Sequence, residues 1–141
     1  MSILYTARAS ANKGRQGRAW SDDDRLDVQL STPAALGGDD GPGTNPEQLF
    51  AAGYAACFMS AMGLVAQQNK LKLPEGAKVE AEVGIGPRAE GGFGLEVTLI
   101  AHLPGVDDAQ GQDLLEKTEQ VCPYSNATRG NVDVALSVKT R

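Results

Sequence analysis

Two thiols, Cys57 and Cys122, are the side chains best suited to chemistry in this 141-residue chain, and their placement admits three readings. A zinc site needs further ligands, but the one histidine, His102, falls in an expected strand and no close ligand pair exists. No metal is expected. Two inert thiols are the second reading, because free cysteine is among the most buried residue types. A redox pair is the third, in which Cys57 as thiolate attacks an oxidant and Cys122 condenses with the resulting sulfenic acid to give a disulfide. The residues themselves leave the last two open.

The redox reading places a demand on the rest of the chain. A thiol in apolar surroundings has its pKa raised, yet the thiolate is the nucleophile. The macrodipole of a helix cannot stabilise the anion about three turns in, where Cys57 lies, because its influence fades within the first turn. A cation is required. Arg8, Arg15 and Arg18 are the basic residues nearest to structured positions upstream, and Arg18, followed by Ala19 and Trp20, is the one placed to point inward. Arg129, after Cys122, is the alternative. A buried arginine needs a carboxylate to hold its fork, and Glu47 is the candidate, although a first-turn acid that merely complements the helix dipole is equally open. Glu47 and Cys57 would lie about 15 Å apart along one helix axis. The carboxylate of a partner chain's antiparallel helix is therefore favoured, which makes the site an interface feature.

The helix that positions these groups is expected over residues 44–68. Asn45 is a good N-cap, Pro46 suits the first helical position, and Gln48 completes a loose capping box. Residues 49–66 carry no charge and are apolar on every side, so the helix is expected to be buried all round. Its many small residues and the strands around it argue for a core helix and against a membrane span. Gly53, Cys57, Ser60 and Gly63 would admit a second helix closely, and a copy of this helix in a homodimer is the natural occupant. Upstream, strands are expected at 3–9, 18–21 and 26–30, with turns at 12–17 and 22–24 and a flexible loop at 37–43. Downstream come strands at 79–85 and 93–103, a helix from an Asp107 or Asp108 cap to Val121, a turn or short helix at 124–130, and a last strand at 132–138. Leu114, Leu115, Thr118 and Val121 should face inward, and Pro123 should pin Cys122 at a helix end. The glycines around Gly84 and Gly92 join two strands and are no nucleotide fingerprint. The order implies an α+β fold of antiparallel sheets, paired mostly as hairpins, around a long central helix.

At this length one domain spanning 1–141 is expected, able to bury roughly two-thirds of its unfolded surface. A net charge of −5 without a basic cluster argues against nucleic acid and anionic membrane surfaces. The first residues lack a basic segment followed by an apolar core, so a cytoplasmic location is expected, where structural disulfides are rare.

Two blocks, NPEQLFAAGYAAC at 45–57 and VCPYSNATRGN at 121–131, resemble the OsmC/Ohr family, the second block in particular its organic hydroperoxide resistance branch. The resemblance extends over nearly the whole chain and includes Gly17-Arg18-Ala19, Leu30-Ser31-Thr32-Pro33, Gly84-Ile85-Gly86 and the stretch GFGLEV at 92–97. It implies an intertwined homodimer and a thiol peroxidase that reduces alkyl and fatty-acid hydroperoxides to alcohols. Cys57 matches the family's peroxidatic cysteine, Cys122 its resolving cysteine, Arg18 the activating arginine and Glu47 the glutamate that orients it. No bound cofactor is implied; a lipoyl dithiol on a lipoylated protein would reduce the disulfide. Phe50, Tyr54, Phe58, Met59 and Phe93 are candidate walls for an alkyl chain. The alternatives are an OsmC-type peroxidase of broader range and a non-catalytic redox-sensing or ligand-binding dimer.

Overall fold

The computed structural model describes all 141 residues. The chain divides into two compact units, Met1–Leu49 and Phe50–Arg141, and each is described by itself.

The first unit carries a three-stranded antiparallel sheet of β1 (Ala9–Ala11), β2 (Arg18–Ser21) and β3 (Asp27–Gln29), in that order. The expected strand at 3–9 is absent from this sheet. Its alternation is genuine, but no strand of this chain covers it, and Ile3, Leu4 and Tyr5 are exposed. Between β1 and β2 the expected turn tightens into one turn of 3-10 helix, Gly14–Gln16. Gly17 then passes so near the Asn12 carbonyl that a Cβ would sit 1.9 Å from its oxygen, which excludes any side chain there.

Helix α1 (Pro46–Gln68) begins as its sequence dictates. The Gln48 N–H donates to the Asn45 side-chain oxygen at 2.8 Å, while the Gln48 side chain accepts from the Thr44 hydroxyl at 2.6 Å and does not close a capping box. It ends in a Schellman arrangement with Lys70 at positive φ, the Leu71 N–H donating to the Ala66 carbonyl at 2.9 Å. By length and hydropathy α1 could cross a membrane; here it supplies Tyr54, Phe58, Ala61, Met62, Val65 and Ala66 to the core of the second unit. Burial is one-sided, contrary to the sequence expectation. Ala52, Ala56, Ser60 and Leu64, spaced at four residues along one stripe, are exposed. At Gly53 the close neighbour is Tyr124 of the same chain.

The other layer of the second unit is a sheet ordered β4 (Lys78–Pro87), β5 (Phe93–His102), β6 (Val134–Lys139). β4 and β5 form the expected hairpin, and Val97, Leu99 and Ala101 of β5 are buried. β6 pairs with β5 in parallel, so the sheet is mixed and not antiparallel throughout. The cause is topological: the chain returns from β5 through α2 (Asp108–Val121) and α3 (Pro123–Thr128), a helical crossover of the kind parallel pairing requires. Asp107 caps α2 by accepting from the Gln110 N–H at 3.2 Å. Pro123 divides the two helices and leaves Cys122, with ψ of 122°, extended between them.

Candidate active site: a thiol pair and an arginine fork

In the first unit the 3-10 turn aims Arg15 at Glu47, in the first turn of α1. The contact is bidentate, with Nη1 donating to Oε2 at 2.7 Å and Nη2 to Oε1 at 2.5 Å. Both groups are partly withdrawn from solvent, Glu47 more so, with side-chain exposure of 14% against 33% for Arg15. The Arg15 guanidinium holds the Glu47 carboxyl below the usual carboxylate range against the opposing cost of burial, and Glu47 in turn raises Arg15. The turn is anchored behind Arg15, where the Leu30 N–H and the Gln29 side-chain amide both donate to the Gly17 carbonyl at 2.8 Å.

This arrangement corrects the expected pairing of Glu47 with Arg18. Arg18 opens β2, and alternation puts it on the same face as Trp20, across from β3. Its Nε donates to Asp27 at 2.6 Å and its guanidinium lies 4.6 Å from the Trp20 ring centroid, in an exposed setting. The fork also forms within one chain, with no partner carboxylate. Arg129 is engaged elsewhere: it donates to the Glu119 carbonyl at the end of α2 and to the Asn126 side chain, both at 2.7 Å, and so ties α2 to α3.

In the second unit Cys57, in the middle of α1, and Cys122, between α2 and α3, are free thiols with sulfurs 3.8 Å apart. Cys122 is fully buried, whereas Cys57 opens onto a mainly apolar recess of about 500 Å³ lined also by Ser60, Ala61, Leu64, Val121 and Pro123. Burial pushes the Cys57 thiol up and the neighbouring Cys122 adds to the shift; the Tyr124 backbone N–H, an otherwise unpaired donor in the first turn of α3, acts against both. No lining residue of the recess is cationic.

None of the five expected alkyl-chain contacts lines this recess. Tyr54 and Phe58 are fully buried, Phe50 and Met59 pack against the core, and Phe93 is 72% exposed at the start of β5. Four of the five lie on α1, which turns its larger side chains toward the core. The recess is lined instead by Leu64, two turns beyond Cys57 on the same face, and by Val121 and Pro123 on either side of Cys122. Val121, expected inward, is 41% exposed at the mouth of the recess.

The chain belongs to the OsmC/Ohr family: the family model for OsmC-like proteins matches residues 37–137. Within the family it is similar to the organic hydroperoxide resistance protein of Xanthomonas axonopodis pv. citri, with 60% identity over 96% of this chain and 95% of that one. It is also similar to the organic hydroperoxide resistance protein OhrB of Bacillus subtilis, with 42% identity over 96% of this chain and 98% of that one. The crystal structure of an organic hydroperoxide resistance protein from Elizabethkingia anophelis superimposes with a TM-score of 0.94 at 52% identity, covering 100% of both chains.

Proposed function

We propose that the protein is a two-cysteine peroxidase acting on organic hydroperoxides in the cytoplasm. The observation that carries this reading is the asymmetric thiol pair, one sulfur facing an apolar recess and the other fully buried 3.8 Å behind it. An alkyl hydroperoxide enters the recess with its tail against Leu64 and Val121. The Cys57 thiolate attacks the outer oxygen of the O–O bond, the alkoxide leaves and takes up a proton as the alcohol, and Cys57 becomes a sulfenic acid. Cys122 then displaces water from that sulfur to form the disulfide. A lipoyl dithiol closes the cycle by exchange, itself becoming a disulfide as both thiols are restored. No cofactor is bound at any step.

Activation of Cys57 requires a cation that offsets burial. Arg15, oriented by Glu47, replaces Arg18 in that role; its fork is already held and its remaining N–H groups are free to meet developing charge on the leaving oxygen. Glu47 lies about 15 Å from Cys57 along the helix, so the fork serves the Cys57 of a second copy in a homodimer. The uncharged exposed stripe of α1 at Ala52, Ala56, Ser60 and Leu64 supports such a partner.

Intact mass and thiol counting test the cycle. One equivalent of alkyl hydroperoxide should convert both thiols of the reduced protein into a Cys57 to Cys122 disulfide, and a lipoyl dithiol should reverse it. Cys57→Ser should abolish turnover, and Cys122→Ser should permit one oxidation followed by overoxidation of Cys57. Survival of both thiols, or steady turnover by Cys57→Ser, would overturn the reading.

A further inference from the structure

Tyr54 fills no recess, yet its hydroxyl is the centre of a buried polar cluster on the α1–α3 contact. It lies 3.0 Å from the Ser125 hydroxyl and 3.1 Å from that of Thr128, and all three residues are buried. Thr128 also donates to the Ser125 carbonyl at 3.2 Å. Each hydroxyl can donate once and accept twice, so the trio satisfies itself without water.

The register of the two helices links this cluster to the sulfurs. Tyr54 and Cys57 stand three apart on one face of α1, while Cys122 is the extended cap residue of α3 and Ser125 lies in that helix's first turn, three residues on. Seating Tyr54 on Ser125 thereby seats Cys57 beside Cys122. Gly53 narrows the same contact, because a Cβ there would come within 3.2 Å of the Tyr124 hydroxyl. A hydrophobic contact could slide by a fraction of an ångström; a directional hydroxyl pair resists that motion.

Resting on the peroxidase reading, we propose that Tyr54, Ser125 and Thr128 form a positioning clamp that holds Cys122 against Cys57, so that condensation outruns a second oxidation. The two competing steps share one intermediate. In one, the Cys57 sulfenic acid and the Cys122 thiol give the disulfide and water. In the other, the sulfenic acid takes an oxygen from a second hydroperoxide and gives a sulfinic acid and an alcohol. Only the first depends on the sulfur separation, and positioning of this kind alters rates by large factors for small displacements.

The test measures, by intact mass across a peroxide series, the concentration at which half the protein carries a Cys57 sulfinic acid. Tyr54→Phe and Ser125→Ala should lower it by about tenfold. Thr128→Val should lower it also, whereas Thr128→Ser, which keeps the hydroxyl, should restore it. Unchanged partition in folded Tyr54→Phe and Ser125→Ala would overturn the clamp. A second measurement does not depend on peroxide: the effective molarity of the thiol pair in a glutathione redox buffer, where glutathione disulfide is reduced as the protein disulfide forms. It should fall in the same variants; equal values in wild type and variants would refute the clamp even if the peroxidase reading stood. Failure of wild-type Cys57 to react with hydroperoxide would instead remove the peroxidase reading and leave the effective molarity to judge the clamp.

Discussion

Arg15 and Arg18 lie one short turn apart in sequence and meet different fates. Arg15, on a 3-10 turn, reaches a partly buried glutamate with both arms of its fork. Arg18, on a strand, is caught by alternation between Asp27 and the face of Trp20, in solvent. The difference teaches that a side chain on a short turn can reach a carboxylate withdrawn from water, whereas one on a strand is directed by alternation to neighbours in solvent, where an ion pair is screened and contributes little. The strongest way to break this contrast is Arg15→Met. If Arg15 supplies the activating charge, peroxidase kcat/KM should fall by about 10² to 10³ with the fold intact, a loss of the size seen when a charge-stabilising donor is removed. Alkylation of Cys57 by iodoacetamide should move to higher pH in the same variant, because burial then sets the thiol unopposed by a cation. An unchanged alkylation profile would exclude Arg15 as the activator.

If Glu47 orients the charge without carrying it, its loss should matter less. Glu47→Gln keeps shape and one acceptor, so a loss of about tenfold in kcat/KM is expected, with Arg15 retained but less fixed. The pair also predicts a pH dependence of stability. Arg15 lowers the Glu47 pKa in the folded protein, so the stabilisation is fully present above the unfolded value and is lost as pH falls through the folded one. Urea unfolding of wild type and Glu47→Gln should therefore differ by about 1 kcal/mol at neutral pH, and the gap should close on acidification below the usual carboxylate range. A gap that persisted in acid would mean that the fork does not hold Glu47 ionised.

The contrast also marks what the sequence could convey. The cap at Asn45, the Asp107 cap, the β4–β5 hairpin and the break at Pro123 were legible because each is a local rule acting within a few residues. The parallel β5–β6 pairing was not, since it is set by where a helical crossover delivers the chain. The stretch at 3–9 reads as a strand because periodicity reports a face to be covered, not what covers it. At the site, the two cysteines stand out by chemistry, and the structure brings their sulfurs within 3.8 Å. The apolar neighbours Ala19 and Trp20 suggest an inward Arg18, yet in a strand the neighbours i+1 and i+2 lie on opposite faces and say little about Arg18 itself. The recess is not legible for a related reason: apolar type alone does not say whether Phe50, Tyr54 and Phe58 face the core or a cleft, and here they face the core.

Arg18→Met is the smallest expected effect and the sharpest control. It removes the exposed pair with Asp27 and the stacking on Trp20 while leaving the 3-10 turn, the Gly17 carbonyl contacts and the Arg15 fork in place. Peroxidase kcat/KM should stay within about twofold of wild type, and the unfolding midpoint should barely move, as for most exposed ion pairs. Loss of activity matching that of Arg15→Met, with Cys57 alkylation shifted to the same degree, would return the activating role to Arg18 and make Arg15 a structural partner of Glu47. An intermediate loss rescued by Arg18→Lys would assign Arg18 a share in attracting an anionic substrate, because lysine keeps the charge but cannot reproduce the stacked fork.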